Sequence, residues 1–255
     1  MLKLVCVVIF CGVVGTWGRQ VQRVIGGEDA VIGQGRYQVS LRTLMNQHFC
    51  GGAILTQTWI LTAGHCTLGR KPGEFQAAVG SLSIQEGFKH RVGYVFRHPN
   101  FDAQSLTEDI ALLQTETSIM FNDLVQPVVL SDREISEGVE ALLTGWGQLQ
   151  YPGSVSHTLQ ALKMVTMTNE ECKEKHSVDI YSPPIRNSNI CAFRENAGAC
   201  MGDSGSPLVI GNELIAIVSW GVPCAKNFGD VFTRITSYRR WIIDSINSKD
   251  NKILA

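Results

Sequence analysis

The chain has 255 residues, of which 44% are hydrophobic and 18% are charged, and its formal net charge is −1. These values are typical of a globular protein with an ample core, and the near-zero charge gives no reason to expect nucleic acid as a partner. The 25 glycines and 8 prolines favour many turns and therefore a fold rich in β-strands.

The first 18 residues differ from the rest of the chain. Lys3 is followed by an apolar run from Leu4 to Val14, and small residues at Thr16 and Gly18 suit cleavage after Gly18. One basic residue before an apolar run of about eleven is typical of a secretory signal peptide, and the run is too short to span a bilayer. We expect residues 1–18 to be a signal peptide and the protein to be secreted; the alternative is a buried N-terminal strand. No later stretch is long enough to cross a membrane.

Secretion changes the number of cysteines that matter. Cys6 and Cys11 would leave with the signal peptide, and an even number in an oxidising compartment implies disulfides. A metal site is the alternative, but no Cys-x-x-Cys pair is present. Six cysteines remain: Cys50, Cys66, Cys172, Cys191, Cys200 and Cys224.

A candidate processing site follows the predicted signal peptide. Arg23 precedes Val24, Ile25 and two glycines. Arginine before an apolar residue is common, so this pattern carries little weight without the motifs that come later in the chain.

Short segments with strand character recur along the chain, separated by turn residues. This pattern favours barrels or a sandwich. We expect strands at residues 37–41, 52–55, 59–62, 76–79, 90–96, 110–113, 141–144, 159–165, 207–210, 214–220 and 231–234.

Two helices are predicted in the second half of the chain. Thr168 precedes Asn169 and two glutamates, as a capping residue precedes acids at a helix start. Near the end, apolar residues spaced from Tyr238 to Ile246 share one helical face, which indicates a helix packed on the core rather than on a membrane. Residues 248–255 are predicted to be a polar tail.

Ser204 lies in a Gly-Asp-Ser-Gly segment at residues 202–205. A serine hydroxyl is a poor nucleophile unless a base takes its proton. Glycine at position 202 lets backbone N–H groups approach a reacting carbonyl, which an oxyanion hole requires. The alternative is an ordinary turn.

His65 and Asp109 are the best-placed partners for Ser204. Of the six histidines, His65 ends a predicted strand beside Cys66, which could anchor the turn through a disulfide. Asp109 precedes the apolar run 110–113, where a carboxylate can accept the second imidazole N–H and select the tautomer. The alternative for Asp109 is a helix or strand cap.

Four segments together carry a resemblance: residues 24–27 (Val-Ile-Gly-Gly), 62–66 (Thr-Ala-Gly-His-Cys), 109–113 (Asp-Ile-Ala-Leu-Leu) and 202–207 (Gly-Asp-Ser-Gly-Ser-Pro). In this order and spacing the chain resembles the chymotrypsin family of serine proteases over residues 24–247. The resemblance implies an all-β fold of two packed six-stranded antiparallel Greek-key β-barrels with a C-terminal α-helix. It makes residues 24–255 the peptidase domain, with barrels at about 24–130 and 131–255.

The resemblance also assigns catalytic roles. It implies that Ser204 is the nucleophile, His65 the general base and acid, and Asp109 the group that orients His65. The backbone N–H groups of Gly202 and Ser204 would form the oxyanion hole. The chain departs from the family at Ser206, where glycine is usual, and we expect little consequence because serine is small.

Activation and disulfides follow from the same resemblance. Cleavage after Arg23 would free the Val24 ammonium to pair with Asp203, so residues 19–23 would be an activation propeptide. No cysteine lies in residues 19–23, so the propeptide should leave. The implied disulfides are Cys50–Cys66, Cys172–Cys191 and Cys200–Cys224.

No cofactor and no metal are expected. The sequence has no convincing calcium loop, although residues 74–86 leave that question open. The expected partners are polypeptide substrates, an activating protease that cuts after Arg23, and protein inhibitors. We expect a monomer.

Residues before and after the nucleophile in the sequence bear on which peptide bond of a substrate is cut. Ser219, Trp220 and Gly221 resemble the strand that pairs with the substrate backbone. Glycine at 221 should leave the pocket open to large side chains, which argues against a preference for small ones.

The pocket base gives two signals. Gly198 stands six residues before Ser204, where trypsin-like members have aspartate, and this favours a chymotrypsin-like preference for Phe, Tyr or Leu. Asp230 falls where the opposite pocket wall usually has glycine, although a shift of one residue would place Gly229 there. Some arthropod serine collagenases look similar and accept both basic and large apolar side chains. We therefore expect a chymotrypsin-like pocket that Asp230 broadens to basic residues.

Several functional alternatives stay open. The chain could be a trypsin-like or a regulatory protease, or a non-catalytic binding protein on the same scaffold. The complete set of three candidate catalytic residues argues against the binding protein. The short propeptide favours a digestive enzyme over a cascade protease.

Overall fold

The computed structural model describes residues 26–222, 224 and 226–253. The predicted signal peptide, the predicted propeptide with Arg23, and Val24 lie outside this range. Within it the chain forms mostly β-strands, and the first of them, β1 (Glu28–Asp29), is a short strand ahead of the barrels.

The first barrel closes through six antiparallel strands. They are β2 (Gln38–Thr43), β3 (His48–Ile54), β4 (Trp59–Thr62), β5 (Phe75–Val79), β6 (Phe88–Arg97) and β7 (Ala111–Thr115). Their order around the barrel is β2-β3-β4-β7-β6-β5. Because β5 returns to lie beside β2, strands β2 to β5 form a Greek key.

The second barrel repeats this plan. It follows β8 (Val129–Leu130) and contains β9 (Glu140–Gly145), β10 (Gln160–Met167), β11 (Asn189–Phe193), β12 (Pro207–Ile210), β13 (Glu213–Trp220) and β14 (Asp230–Arg234). Strand β12 pairs with both β9 and β13, which closes the ring β9-β10-β11-β14-β13-β12. The short strands β1 and β8 pair with β10 and β13 on its outside. The prediction of two six-stranded barrels is therefore confirmed.

Successive side chains of β4 point to opposite faces of the strand, and this explains how the barrels pack on each other. Ile60 points into the core of the first barrel, whereas Trp59 and Leu61 belong to the apolar cluster between the barrels. Each of these three side chains is at most 1% exposed. Burying one such side chain contributes about 1.5–3 kcal/mol, so this strand stabilises both the barrel and its interface.

Both predicted helices are present. Helix α1 (Asn169–His176) begins after Thr168, whose hydroxyl accepts a hydrogen bond from the Glu171 N–H at 3.0 Å. Helix α2 spans Ile235–Ile253, so the prediction of a polar tail from residue 248 was wrong for residues 248–253. Tertiary contacts extend the helix: the Trp59 indole N–H donates to Asp250 at 3.1 Å, and the Lys249 ammonium lies 4.0 Å from the Tyr94 ring centre.

The described residues contain no helix with the length and apolar character needed to span a membrane. The described part of the chain contains three disulfides, Cys50–Cys66, Cys172–Cys191 and Cys200–Cys224, and they are the pairs that the resemblance implied.

Strand pairing brings the candidate site residues together. Thr62 at the end of β4 pairs with Ala111 at the start of β7, so His65 and Asp109 lie at the same edge of the first barrel. Ser204 precedes β12 of the second barrel. Its carbonyl accepts a hydrogen bond from the Gly51 N–H of β3 at 2.8 Å, which joins the two barrels beside the site.

Candidate active site

Asp109 holds His65 through two separate hydrogen bonds. Its Oδ2 lies 2.8 Å from His65 Nδ1, and its Oδ1 accepts the His65 backbone N–H at 2.8 Å. The Ser219 hydroxyl donates to the same Oδ2 at 2.6 Å. The carboxyl is 1% exposed, so these donors replace its water shell. An imidazole that donates from Nδ1 keeps Nε2 available to accept a proton.

His65 and Ser204 both lie against Cys66 of the Cys50–Cys66 disulfide. The sulfur of Cys66 lies 3.8 Å from His65 Nε2 and 3.6 Å from the Ser204 carbonyl oxygen. Among the described residues no hydrogen bond joins the Ser204 hydroxyl to His65. Such bonds tighten in enzymes when a substrate binds, so the placement is compatible with proton transfer.

The backbone before Ser204 offers two free donors. The N–H groups of Asp203, Gly205 and Ser206 donate hydrogen bonds within the fold. Those of Gly202 and Ser204 donate none among the described residues. The φ of Gly202 is +102°, a conformation that side chains rarely adopt, so glycine is required at this end of the segment. Backbone N–H groups left free in this way can donate to negative charge that develops on a bound substrate.

A hydrogen-bonded relay of Arg42, Ser40 and His48 holds the backbone carbonyl of Gly202. It was not predicted from the sequence. His48 Nε2 donates to the Gly202 carbonyl at 3.0 Å, and His48 Nδ1 lies 2.8 Å from the Ser40 hydroxyl. Arg42 Nε donates to that hydroxyl at 2.8 Å, which leaves the Ser40 proton for His48. Burial lowers the pKa of His48 to about 4, so the ring stays neutral at physiological pH. The contact joins residues far apart in the chain, and no local pattern signals it.

Asp203 is fully buried behind the segment that carries Ser204. Its Oδ1 accepts the Gly147 N–H at 2.7 Å and its Oδ2 accepts the Cys200 N–H at 3.0 Å. Burial raises its pKa to about 6, although both hydrogen bonds act in the opposite direction. No cation among the described residues pairs with it. Side chains at positions 145 and 147 would collide with the carboxylate, which accounts for the glycines there.

A cavity of about 200 Å³ opens beside Ser204. Ser219, Trp220 and Gly221 of β13 and the following turn form one wall. The remaining lining residues are Ala199, Cys200, Met201, Ser204, Val218, Cys224 and Asp230.

Asp230 occupies the part of this cavity nearest Gly198. Its Oδ2 accepts the Ala199 N–H at 2.7 Å. A Cβ at position 198 would lie 2.7 Å from that oxygen, and a Cβ at 221 would lie 2.9 Å from Oδ1. The carboxylate thus fills the space that side chains at 198 and 221 would need. Gly229 carries no side chain and has a φ of +87°.

The electrostatic setting of Asp230 is unfavourable for a charge. Burial raises its pKa to about 7, and the negative charge of Asp203 acts in the same direction. The Ala199 N–H lowers the pKa but does not offset burial. Asp230 therefore ionises less readily than an exposed aspartate does.

The paired barrels have the architecture of the trypsin fold. The chain matches the family model described as Trypsin over residues 24–242. It is 34% identical to Trypsin 5G1 of Aedes aegypti over 226 residues, covering 86% of this chain and 84% of that protein. It is 36% identical to Chymotrypsin-2 of Vespa crabro over 222 residues, covering 86% and 98%. It is 35% identical to the Vitellin-degrading protease of Bombyx mori over 232 residues, covering 89% and 86%. The chain belongs to the trypsin family and is a serine endopeptidase.

Proposed function

We propose that this endopeptidase hydrolyses peptide bonds with Ser204 as nucleophile, His65 as general base and acid, and Asp109 as the carboxylate that orients His65. The observation that carries the proposal is the double hydrogen bond from His65 to the buried Asp109 carboxylate. It selects the tautomer in which Nε2 can accept the Ser204 proton.

The chemistry then follows in two balanced steps. Ser204 Oγ attacks the scissile carbonyl while His65 Nε2 takes its proton, and Asp109 stabilises the resulting imidazolium. His65 returns this proton to the leaving amine, which departs and leaves an acyl-enzyme on Ser204. Water then attacks the acyl group with His65 again as base, and the proton returns to Ser204 as the acid product leaves.

The N–H groups of Gly202 and Ser204 stabilise the negative oxygen that forms in each step. Loss of one such donor costs on the order of 10²–10³ in kcat. The relay from Arg42 through Ser40 and His48 positions Gly202 for this role by holding its carbonyl on the opposite side.

We further propose that the protein is made as a secreted zymogen. Residues 1–18 are removed as a signal peptide and residues 19–23 as an activation propeptide, which leaves residues 24–255 as the peptidase domain. Cleavage after Arg23 frees the Val24 ammonium to pair with Asp203. The absence of any described cation near this buried carboxylate supports the pairing, because a buried charge without a partner is costly.

The pocket supports a chymotrypsin-like preference that extends to basic residues. The cavity of about 200 Å³ beside Ser204 leaves room for a large side chain, and Asp230 offers a carboxylate to Lys or Arg. The names of the relatives include both trypsin and chymotrypsin, in keeping with a mixed preference. We propose a digestive enzyme that acts as a monomer on polypeptides and is open to protein inhibitors.

Labelling of Ser204 tests the catalytic proposal. The full chain, secreted from eukaryotic cells and treated with an arginine-directed protease, should begin at Val24 and bind one serine-directed organophosphate at Ser204. Ser204→Ala, processed in the same way, is the matched control and should bind none. A chain that begins at Val24 and takes up no label would contradict the proposal and favour a non-catalytic binding protein.

Short substrates that differ only before the cut test the specificity. We expect turnover after Leu, Phe and Tyr and also after Arg and Lys, with Asp230→Gly losing the basic substrates. If basic substrates are not cleaved and Asp230→Gly changes nothing, Asp230 has no role in specificity.

A further inference from the structure

The carboxyl of Asp230 is a pocket group with little to stabilise its charge. It is 6% exposed and accepts one described hydrogen bond, from the Ala199 N–H at 2.7 Å. The glycines at 198 and 221 lie against this carboxyl, and neither has a side chain that could donate a hydrogen bond to it. One neutral donor does not compensate a buried carboxylate, which is costly unless it is paired with a cation.

The described charged groups around Asp230 do not provide that cation, and the Val24 ammonium freed by the proposed activation would pair with Asp203. From the segment before Ser204 comes Asp203, whose negative charge disfavours ionisation of Asp230. From α1 comes His176, whose Nε2 lies 3.1 Å from the carbonyl of the neighbouring Gly229. Burial lowers the pKa of His176, so the ring is largely neutral at neutral pH.

The strands packed against Asp230 add no compensating charge either. Ala192 of β11 pairs with it, and β11 carries no charged residue. The charged residue of β13 is Glu213, which forms an ion pair with Arg133. Besides Asp230 itself, β14 carries Arg234, which forms an ion pair with Glu134. Lys226, in the loop before β14, is exposed, and none of the ion pairs among the described residues includes Asp230.

The two states of this group present different pockets to a substrate. A protonated carboxyl is a neutral hydrogen-bonding group beside an apolar wall, which a Leu or Phe side chain can enter without separating a charge from water. An ionised carboxylate binds an ammonium or guanidinium group, which supplies the missing countercharge. It disfavours an apolar side chain, because that side chain would remove water from the charge without replacing its hydrogen bonds.

We propose that protonation of Asp230 selects the substrate, so that the enzyme cleaves after large apolar residues when this carboxyl is neutral and after Lys or Arg when it is ionised. This inference rests on the proposed function, because it concerns the pocket that would hold the substrate side chain beside Ser204. Burial raises the pKa of Asp230 to about 7, which places the change of preference near neutral pH.

The direction of the pH effect follows from how ionisation of Asp230 changes the binding of each substrate. Raising the pH ionises Asp230, so kcat/KM for an Arg substrate rises through neutral pH while kcat/KM for a Leu substrate falls. Any effect of pH on the catalytic residues shared by the two substrates cancels in the ratio of their kcat/KM values. Where each form accepts one class only, the Arg/Leu ratio rises about tenfold for each pH unit.

The test compares two peptide amides that differ only in Arg or Leu before the cut. Their kcat/KM ratio is measured from about pH 6 to about pH 8, with active enzyme counted by organophosphate labelling at each pH. The wild type should show the rising ratio. Asp230→Asn, which keeps an oxygen for the Ala199 N–H but cannot ionise, should show a ratio independent of pH.

Each outcome separates this inference from the proposed function. A level wild-type ratio in fully labelled enzyme overturns the inference and leaves the catalytic proposal intact, whereas enzyme that takes no label overturns the catalytic proposal. A slope that persists in Asp230→Asn also overturns the inference. His176→Gln removes the other titratable group beside Gly229; if it abolishes the slope, the switch lies in His176 and the assignment to Asp230 is wrong.

Discussion

Asp109 at the edge of the first barrel and Asp230 in the second barrel are both buried carboxylates, but they differ in the number of hydrogen bonds that they accept. The Asp109 carboxylate accepts three hydrogen bonds from described residues, two from His65 and one from Ser219. The Asp230 carboxylate accepts one, from the Ala199 N–H. Hydrogen bonds to the charged form of a carboxyl favour that form, whereas burial alone disfavours it. The two regions therefore differ in how many donors they offer to a buried carboxylate.

The largest effect should come from removing the charge of the first region. Asp109→Asn keeps the shape but lets the amide donate to His65, which reverses the imidazole tautomer. We expect kcat to fall on the order of 10³–10⁴ with little change in folding. Active-site labelling and the thermal unfolding midpoint measured together would separate lost chemistry from lost structure. A loss of less than tenfold would mean that Asp109 does not select the tautomer.

The next effect concerns the stability cost of the second region. The folded-state pKa of Asp230 is raised from 3.8 to about 7, so its contribution to stability is complete below pH 3.8 and is lost as the pH rises to 7. Relative to Asp230→Asn, the free energy of unfolding should fall on the order of 3–4 kcal/mol across that range. Urea unfolding at both ends of the range, in a Ser204→Ala background that prevents self-digestion, would measure it. Parallel pH curves for the two chains would show that Asp230 ionises normally.

A smaller effect should follow from removing one donor of the first region. Ser219→Ala leaves Asp109 with its two N–H donors, and we expect kcat to fall about tenfold, as loss of one charge-assisted hydrogen bond would predict. Thr233→Val is a matched control, because the Thr233 hydroxyl bonds the Asp109 backbone carbonyl and not its carboxylate. The two variants should differ in kcat; equal losses would point to a general disturbance of the strand ends.

The smallest effect tests the fit of Asp230 between its glycines. Gly198→Ala should destabilise the wild type because the new Cβ would lie 2.7 Å from Asp230 Oδ2. In an Asp230→Gly background the same substitution should be tolerated, with a coupling energy of about 1–2 kcal/mol. A double-mutant cycle of unfolding free energies measures this term. Additive effects would mean that the two positions do not touch.

Much of the first region could be predicted from the sequence because it depends on local order. The residues around His65 and Asp109 border strands whose apolar runs are easily recognised, and pairing of β4 with β7 brings their ends together. The same applies to Thr168, whose capping role needs only the residues that follow it.

Other features required the structure because distant residues decide them. Strand β11 has few strand-favouring side chains and is stabilised by β10 and β14 on its two sides. Helix α2 continues past residue 248 because its end contacts Trp59 and Tyr94. Counting from Cys224 favoured Asp230 over Gly229 as the group beside Gly198, but a shift of one residue stayed open until the structure showed the Asp230 carboxylate there.

The close approach of Asp230 to position 198 also constrains how such a pocket could evolve. A chain that moved its carboxylate from residue 230 to residue 198 by single substitutions could not hold both side chains at once without displacing one of them. A pocket with glycine at both positions would avoid this crowding, but it would offer no carboxylate to Lys or Arg. Moving the carboxylate from one position to the other by single substitutions therefore requires either a crowded pocket or an uncharged one.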